Sequence, residues 1–344
     1  MGPASRPWPL AALLLAGVSA CFLLAAPSTG PTAAAEGRLK LPFTPEVGSR
    51  TAYTIVKTKQ QRTKGGRLER NLKTSSKAEL ALLSENDQGF VFRFVILETE
   101  ATTPGASQPK LDRLLSRLAS ITTEIPLIYQ ADRAGTPLYL INSREVVHAL
   151  HTILPDLQAV VRDLGQEGIV SPADRAKLEA LVNGTFGALT ALSDRELAAV
   201  VLEEVGLLFA ATGRDFPIGE KEGFETQTTI PLIGWPVRVS GKRLIKSLDE
   251  DAKVAVVEIE TAYDRARLLD ALAQAASRLA GSAAEAERHL EAGLRALGEF
   301  QVTESSLHMV DLESGAPLAL RHQRTLAFGD KTVVEVTKIR RLRP

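Results

Sequence analysis

A single cysteine, Cys21, occurs in the 344 residues, so no intrachain disulfide can form and no thiolate cluster can hold a metal. The fold must rest on packing. Net charge is absent as well: Lys and Arg number 41, Asp and Glu number 41, and no overall field draws the chain to nucleic acid. Catalytic signatures are missing. There is no Gly-x-Ser-x-Gly elbow, no phosphate-binding glycine loop and no His-Glu-x-x-His helix. These absences favour a protein that is not an enzyme and carries no cofactor.

What is present begins with a leader. Arg6 precedes an apolar run from Leu10 to Ala26, and a stretch rich in Pro, Ser, Thr, Gly and Ala follows, as in a secretory signal over residues 1–35. Two exits compete. Ala33-Ala34-Ala35 suits cleavage to a soluble exported chain, whereas Val18-Ser19-Ala20-Cys21 resembles a lipoprotein lipobox that would lipidate Cys21. The alanine-rich, arginine-using composition is bacterial in style, so the expected destination is the periplasm, free or lipid-anchored.

From Pro45 onward apolar residues alternate in period two, the mark of strands with one buried face. Gly65-Gly66 and Asn86-Asp87-Gln88-Gly89 separate three such runs, and a helix is expected over Lys110 to Ser120. A helical section follows, opened by Asn142-Ser143, kinked or broken at Pro155, capped again by Ser171-Pro172 and by the capping box Ser193-Asp194-Arg195-Glu196, and ended by Gly213. Strands then return, helices follow Asp264, and a last strand closes the chain.

Two stretches mark the organisation. Asp132-Arg133-Ala134-Gly135-Thr136-Pro137 is echoed by Asp311 to Gly315 and Pro317, with one residue inserted. Each reads as a hairpin turn, with Asp bonding the backbone ahead, Gly at positive φ and Pro opening the return strand. The order meander, helix, Asp-Gly-Pro hairpin occurs in both halves, about 43–211 and 214–344, which makes 36–344 one internally duplicated domain. The fold class expected is α+β: a broad, curved antiparallel sheet of about eleven strands with helices covering its concave face.

A signal-bearing chain with that order of elements resembles the LolA and LppX class of periplasmic half-barrels. The resemblance covers the mature region through element order alone. It implies a cavity between curved sheet and helical plug that holds acyl chains, hence an apolar small molecule or lipid as ligand.

Candidate binding residues come from the helical sections. Past Ser193, a projection at about 100° per residue puts Leu197, Val200, Val201, Val205, Leu208 and Phe209 on one face, with Arg195, Glu196 and Glu203 opposite. Glu204 falls inside the apolar face, where a carboxylate is costly unless paired or protonated. The expected lining is Val201, Val205 and Leu208 together with Leu268, Leu272 and Leu279 from the helix after Asp264, with Glu204 near a polar group and Trp235 at the sheet rim. Glu145, His148 and His151 have a metal-compatible helical spacing, but no further ligand pattern accompanies them, so no metal is expected. The basic end Lys338 to Arg343 leaves room for membrane-surface contact. An envelope protein partner, met by a filled and ligand-free version of the same fold, is the alternative.

Overall fold

Alternation runs long in this chain, and long strands result. The computed structural model describes residues 37–104, 109–121, 123–168, 170–230, 235–264, 266, 268 and 300–342. The leader, Cys21, Leu272 and Leu279 lie outside the described residues. In the first half β1 is Arg38–Lys40, β2 Arg50–Thr63, β3 Leu68–Asn86, β4 Gly89–Thr102, β5 Leu127–Ala131 and β6 Pro137–Leu140, with α1 at Pro109–Ser120. Four helices follow: α2 Ser143–Gln166, α3 Pro172–Thr190, α4 Asp194–Val201 and α5 Glu203–Leu208. The second half carries β7 Asp215–Pro217, β8 Glu222–Ile230, β9 Trp235–Asp249 and β10 Val254–Tyr263, then β11 Phe300–Asp311, β12 Pro317–Phe328 and β13 Lys331–Arg341.

Eleven of these strands form one antiparallel sheet in the order β6-β5-β4-β3-β2-β13-β12-β11-β10-β9-β8, curved and unclosed. The expected sheet is the one observed. The last strand and the first long one meet at its centre, Ile339 opposite Ile55 and Glu335 opposite Lys59. A shift of six strands carries β8–β12 onto β2–β6 in the same order and direction, so both Asp-Gly-Pro turns lie at one end of the sheet.

That end is tied together by local chemistry. Asp132 Oδ1 accepts from the N–H groups of Ala134 and Thr136, and Asp311 Oδ1 accepts from those of Glu313 and Ser314. Gly135 and Gly315 have φ of 85° and 69°. Both turns press on the segment between β1 and β2: a Cβ at Gly135 would lie 2.9 Å from the Phe43 ring, and one at Gly315 would collide with the carbonyl of Pro42. Beside this strap β1 pairs with β7 in a small second sheet, and Arg38 bridges Asp215 and Glu222 at 2.9 and 2.7 Å.

The core sits between one face of the sheet and the helices. Tyr53, Leu80, Leu82, Phe90, Phe92, Phe94 and Tyr129 are buried against Leu197, Leu202, Val205, Leu208 and Phe209. Phe43 meets Phe90 and Phe209 at 5.4 and 5.2 Å between centroids. A second cluster, including Leu41, Phe216, Ile245, Val257 and Val310, fills the space by the small sheet. Of the kink or break expected at Pro155, the break is not found: the residue lies within a continuous α2, where it forfeits one backbone hydrogen bond without dividing the element. The cap expected of Asn142 takes another form. Its side chain bonds no helical N–H; it accepts from Ile128 N and donates to the Pro126 carbonyl, which fastens α2 to β5.

Candidate functional site

The inward positions of four central strands carry a run of polar residues, flanked by apolar ones at both ends on three of them and at one end on β2. On β11 the series is Val302, Glu304, Ser306, His308, Val310; on β12 it is Leu320, His322, Arg324, Leu326. On β13 Glu335 and Thr337 lie between Val333 and Ile339, and on β2 Lys57, Lys59 and Gln61 follow Tyr53 and Ile55. Antiparallel register puts Glu304 opposite Arg324, and Glu335 opposite Lys59, so the polar positions merge into one island across the sheet.

Helix α5 closes over this island. The Ser193 hydroxyl accepts from Glu196 N and the Glu196 carboxylate accepts from Ser193 N, a complete capping box that starts α4. Leu202 then leaves helical geometry at φ −112° and ψ 25°, dividing what the sequence pattern presents as one helix. Residues beyond it no longer follow the projection of α4. This corrects the expected placement of Glu203: it is not on the outer face but is the more deeply buried of the two glutamates, with 8% of its side chain exposed against 17% for Glu204.

Arg324 is the hub. Its guanidinium donates to Glu304 at 2.6 Å and to Glu203 at 3.1 Å, with Glu335 at 3.7 Å. Lys57 pairs with Glu204, and Lys59 with Glu335 at 2.8 Å. Burial alone would lower the pKa of Arg324, but Glu304 and Glu203 outweigh it and raise it. Burial likewise opposes the charge on Lys57, and Glu204 and Glu203 reverse the sign, so its pKa is raised. For Glu203 burial dominates over Arg324 and Lys57 and lifts its pKa; for Glu204 burial also opposes the charge, but the charge and hydrogen bond of Lys57 together reverse the sign and lower it.

Two buried histidines complete the island. His308 Nε2 shares a 2.8 Å hydrogen bond with Ser306 Oγ, while its Nδ1 and both ring nitrogens of His322 have no partner among the described residues. Burial, reinforced by His322 and Arg214, pushes His308 down to about 3, and burial, opposed by Glu304, pushes His322 down to about 4, so both are neutral at pH 7. His322 lines a cavity of about 190 Å³ with Lys57, Lys59, Glu203, Arg324 and Glu335, and with Leu72 and Leu207 as apolar walls.

The residues expected from the sequence fall partly beside this cavity and partly elsewhere. Val205 and Leu208 are in the packed core, Val201 is half-buried against it, and the space left beside Glu204, Val205 and Leu208 is about 10 Å³. Leu268 is buried, 1% exposed, but Leu272 and Leu279 lie outside the described residues. Trp235 begins β9 opposite Ile230, and its side chain is outside what is described. His148 and His151 are exposed on α2, and no group of three or more metal-binding side chains occurs among the described residues. Asp132 and Asp311 serve their turns. The residues that sequence reasoning missed are Lys57, Lys59, His308, His322, Arg324, Glu304 and Glu335; the readable signal was a polar run on the inward positions of four alternating strands.

Fold and site together define an open, curved antiparallel sheet with a charged island beneath a helical cover. No protein family matches the chain, no curated protein matches it, and no family match ties it to LolA or LppX in particular. Among solved structures it is similar to one of lipovitellin devoted to lipid–protein interactions, at 9% identity and a TM-score of 0.43 over 87% of this chain. The chain spans 25% of that lipovitellin chain. An outer membrane channel from Pseudomonas putida F1 follows at 8% identity and a TM-score of 0.19, covering 87% of this chain and 97% of the channel. DynF of the dynemicin biosynthesis pathway of Micromonospora chersina is 6% identical with a TM-score of 0.20, over 92% of each chain. Likenesses this slight carry no argument about what the chain binds.

Proposed function

We propose that the chain is a non-enzymatic binding protein, exported to the periplasm, that holds an apolar ligand by its acyl chains and seats the ligand's polar end beside α5. The observation that carries this reading is a cavity of about 190 Å³ that charged side chains and apolar ones, Leu72, Leu207 and Val336, line together. An amphipathic molecule needs both surroundings, because its polar end is costly to bury without partners. Its chain would enter between α5 and the sheet, along Val201, Val205 and Leu208. Entry requires α5 to lift. α5 is a six-residue helix, divided from α4 at Leu202, and lifting it would break the ion pairs of Glu203 and Glu204 at its first turn. Lys338, Arg340 and Arg341 are exposed and supply positive charge for approach to an anionic membrane surface.

A second reading has its own observation. The core around Phe43, Phe92, Phe209, Val205 and Leu208 is filled, with about 10 Å³ left beside Glu204. If α5 never lifts, the protein is an envelope interaction module that meets a partner through its surface. Native mass spectrometry of the protein purified from its own envelope separates the two. The carrier reading expects a co-purifying lipid and a rise in thermal midpoint on adding lipid back. Protein that comes off empty and is not stabilised by lipid would sink it.

A further inference from the structure

Resting on the carrier reading, we infer that the cavity beside α5 is a head-group site for a neutral, hydroxyl-bearing group such as a glycerol moiety, with His322 as its hydrogen-bonding anchor. The first ground is charge. The cations facing the cavity, Lys57, Lys59 and Arg324, are each committed to carboxylates: Glu204, Glu335, and the pair Glu203 and Glu304. Three cations therefore meet four carboxylates. Burial raises the pKa of Glu203, yet even with that carboxyl protonated three cations still meet three carboxylates. No positive charge is left over for a phosphate or a fatty-acid carboxylate, and an anionic head would have to break an existing pair.

The second ground is an unmet demand. His322 is 3% exposed, lines the cavity, and neither of its ring nitrogens has a partner among the described residues. A neutral imidazole presents one donor and one acceptor in divergent directions, and the hydroxyls of a polyol can meet both, one accepting from the ring N–H and another donating to the bare nitrogen. Buried polar atoms without partners are rare and call for a bound water or ligand. Size is the third ground. At about 190 Å³ the cavity is well above the roughly 10–15 Å³ that a single water needs, so it has room for a small polyol.

The test uses the full chain labelled with 15N at histidine, with His322 signals assigned by their loss in His322→Gln. The probes are glycerol, monooleoylglycerol and oleate, the last two added below their aggregation concentrations. Monooleoylglycerol is expected to shift the His322 ring nitrogens. Its affinity should fall about tenfold in His322→Phe and be largely kept in His322→Gln, which retains a donor and an acceptor, while oleate affinity changes by less than about twofold. Monooleoylglycerol that binds without moving His322, or oleate that moves it equally, overturns the head-group assignment and leaves the carrier reading standing. A glycerol shift with no binding of either acyl compound upholds the site and overturns the carrier. No response to any probe leaves a cavity filled by water only and overturns both.

Discussion

Arg324 shows how much one side chain holds in place. Its partner Glu304 has 1% of its side chain exposed, and removing the guanidinium strands that carboxylate in the interior. Arg324→Met is expected to destabilise by about 3–5 kcal/mol in urea unfolding, because a buried charge without its partner costs more than the pair gave. Replacing the set together, Arg324→Met with Glu304→Leu and Glu203→Leu, should recover most of that loss, since the uncompensated charges go with it. The buried histidines govern a different response. Their folded pKa values, about 3 for His308 and about 4 for His322, lie below the ordinary 6.5. The unfolded chain therefore takes up protons first, and their contribution to stability, full above pH 6.5, is lost as pH falls toward 4 and 3. Each contributes a slope of about 1.4 kcal/mol per pH unit in that window. Glu203 acts in the opposite sense, because its raised pKa lets the folded state protonate before the unfolded one and offsets part of the loss on acidification. Urea midpoints at pH 7, 6 and 5 should fall steadily, and His308→Gln with His322→Gln should flatten the decline. An unchanged slope in the double variant would show that other groups control it.

Elements made by neighbouring residues were legible in the sequence. Asp132 and Asp311 turn the chain because their carboxylates reach backbone N–H groups two or three residues on, and Ser193 and Glu196 cap α4 within one turn. The division at Leu202 was not legible, because no Gly or Pro marks it and the apolar spacing runs straight through. That is why Glu203 was expected on the wrong face. Turn glycines give a graded test of how far an element depends on its surroundings. Gly66 has φ 78° with nothing within 4 Å of an added Cβ, so Gly66→Ala should cost about 1–2 kcal/mol, the left-handed strain alone. Gly315→Ala has the same strain and in addition meets the Pro42 carbonyl, which is backbone and cannot rotate aside. Its thermal midpoint should drop by several times the Gly66→Ala shift, with detachment of the 41–44 segment read as new amide exchange at Thr44, whose N–H bonds the Ser314 carbonyl. Equal shifts for the two variants would mean that the strap is not fastened through this turn.

The molecule as a whole was legible as a class and not as a site. Alternation and turn spacing dictate about eleven antiparallel strands, and two half-sheets that each bury one face gain by sharing a sheet. The island was missed because its members, among them Lys57, Glu203, His308, His322, Arg324 and Glu335, lie on β2, α5, β11, β12 and β13, and only the pairing of β13 with β2 brings the first and last of these strands side by side. That pairing is the least local feature of the fold. It joins residues from near both ends of the described chain, must wait for the whole chain to be ordered, and puts β13 at the centre with a ladder on each edge. Proline distinguishes such a strand from one at the rim, since it removes a ladder N–H and is tolerated only where that N–H is not needed. Thr337 pairs with both His322 and Lys57, whereas Tyr139 on the edge strand β6 pairs with Gln130 on one side alone. Thr337→Pro should abolish the single cooperative transition and release both halves to proteolysis. Tyr139→Pro should keep that transition and lower its midpoint only modestly. If Thr337→Pro leaves one half, about 43–211 or 214–344, cooperatively folded and protease-resistant, the halves are independent domains, and an island assembled across their junction could not depend on a common sheet.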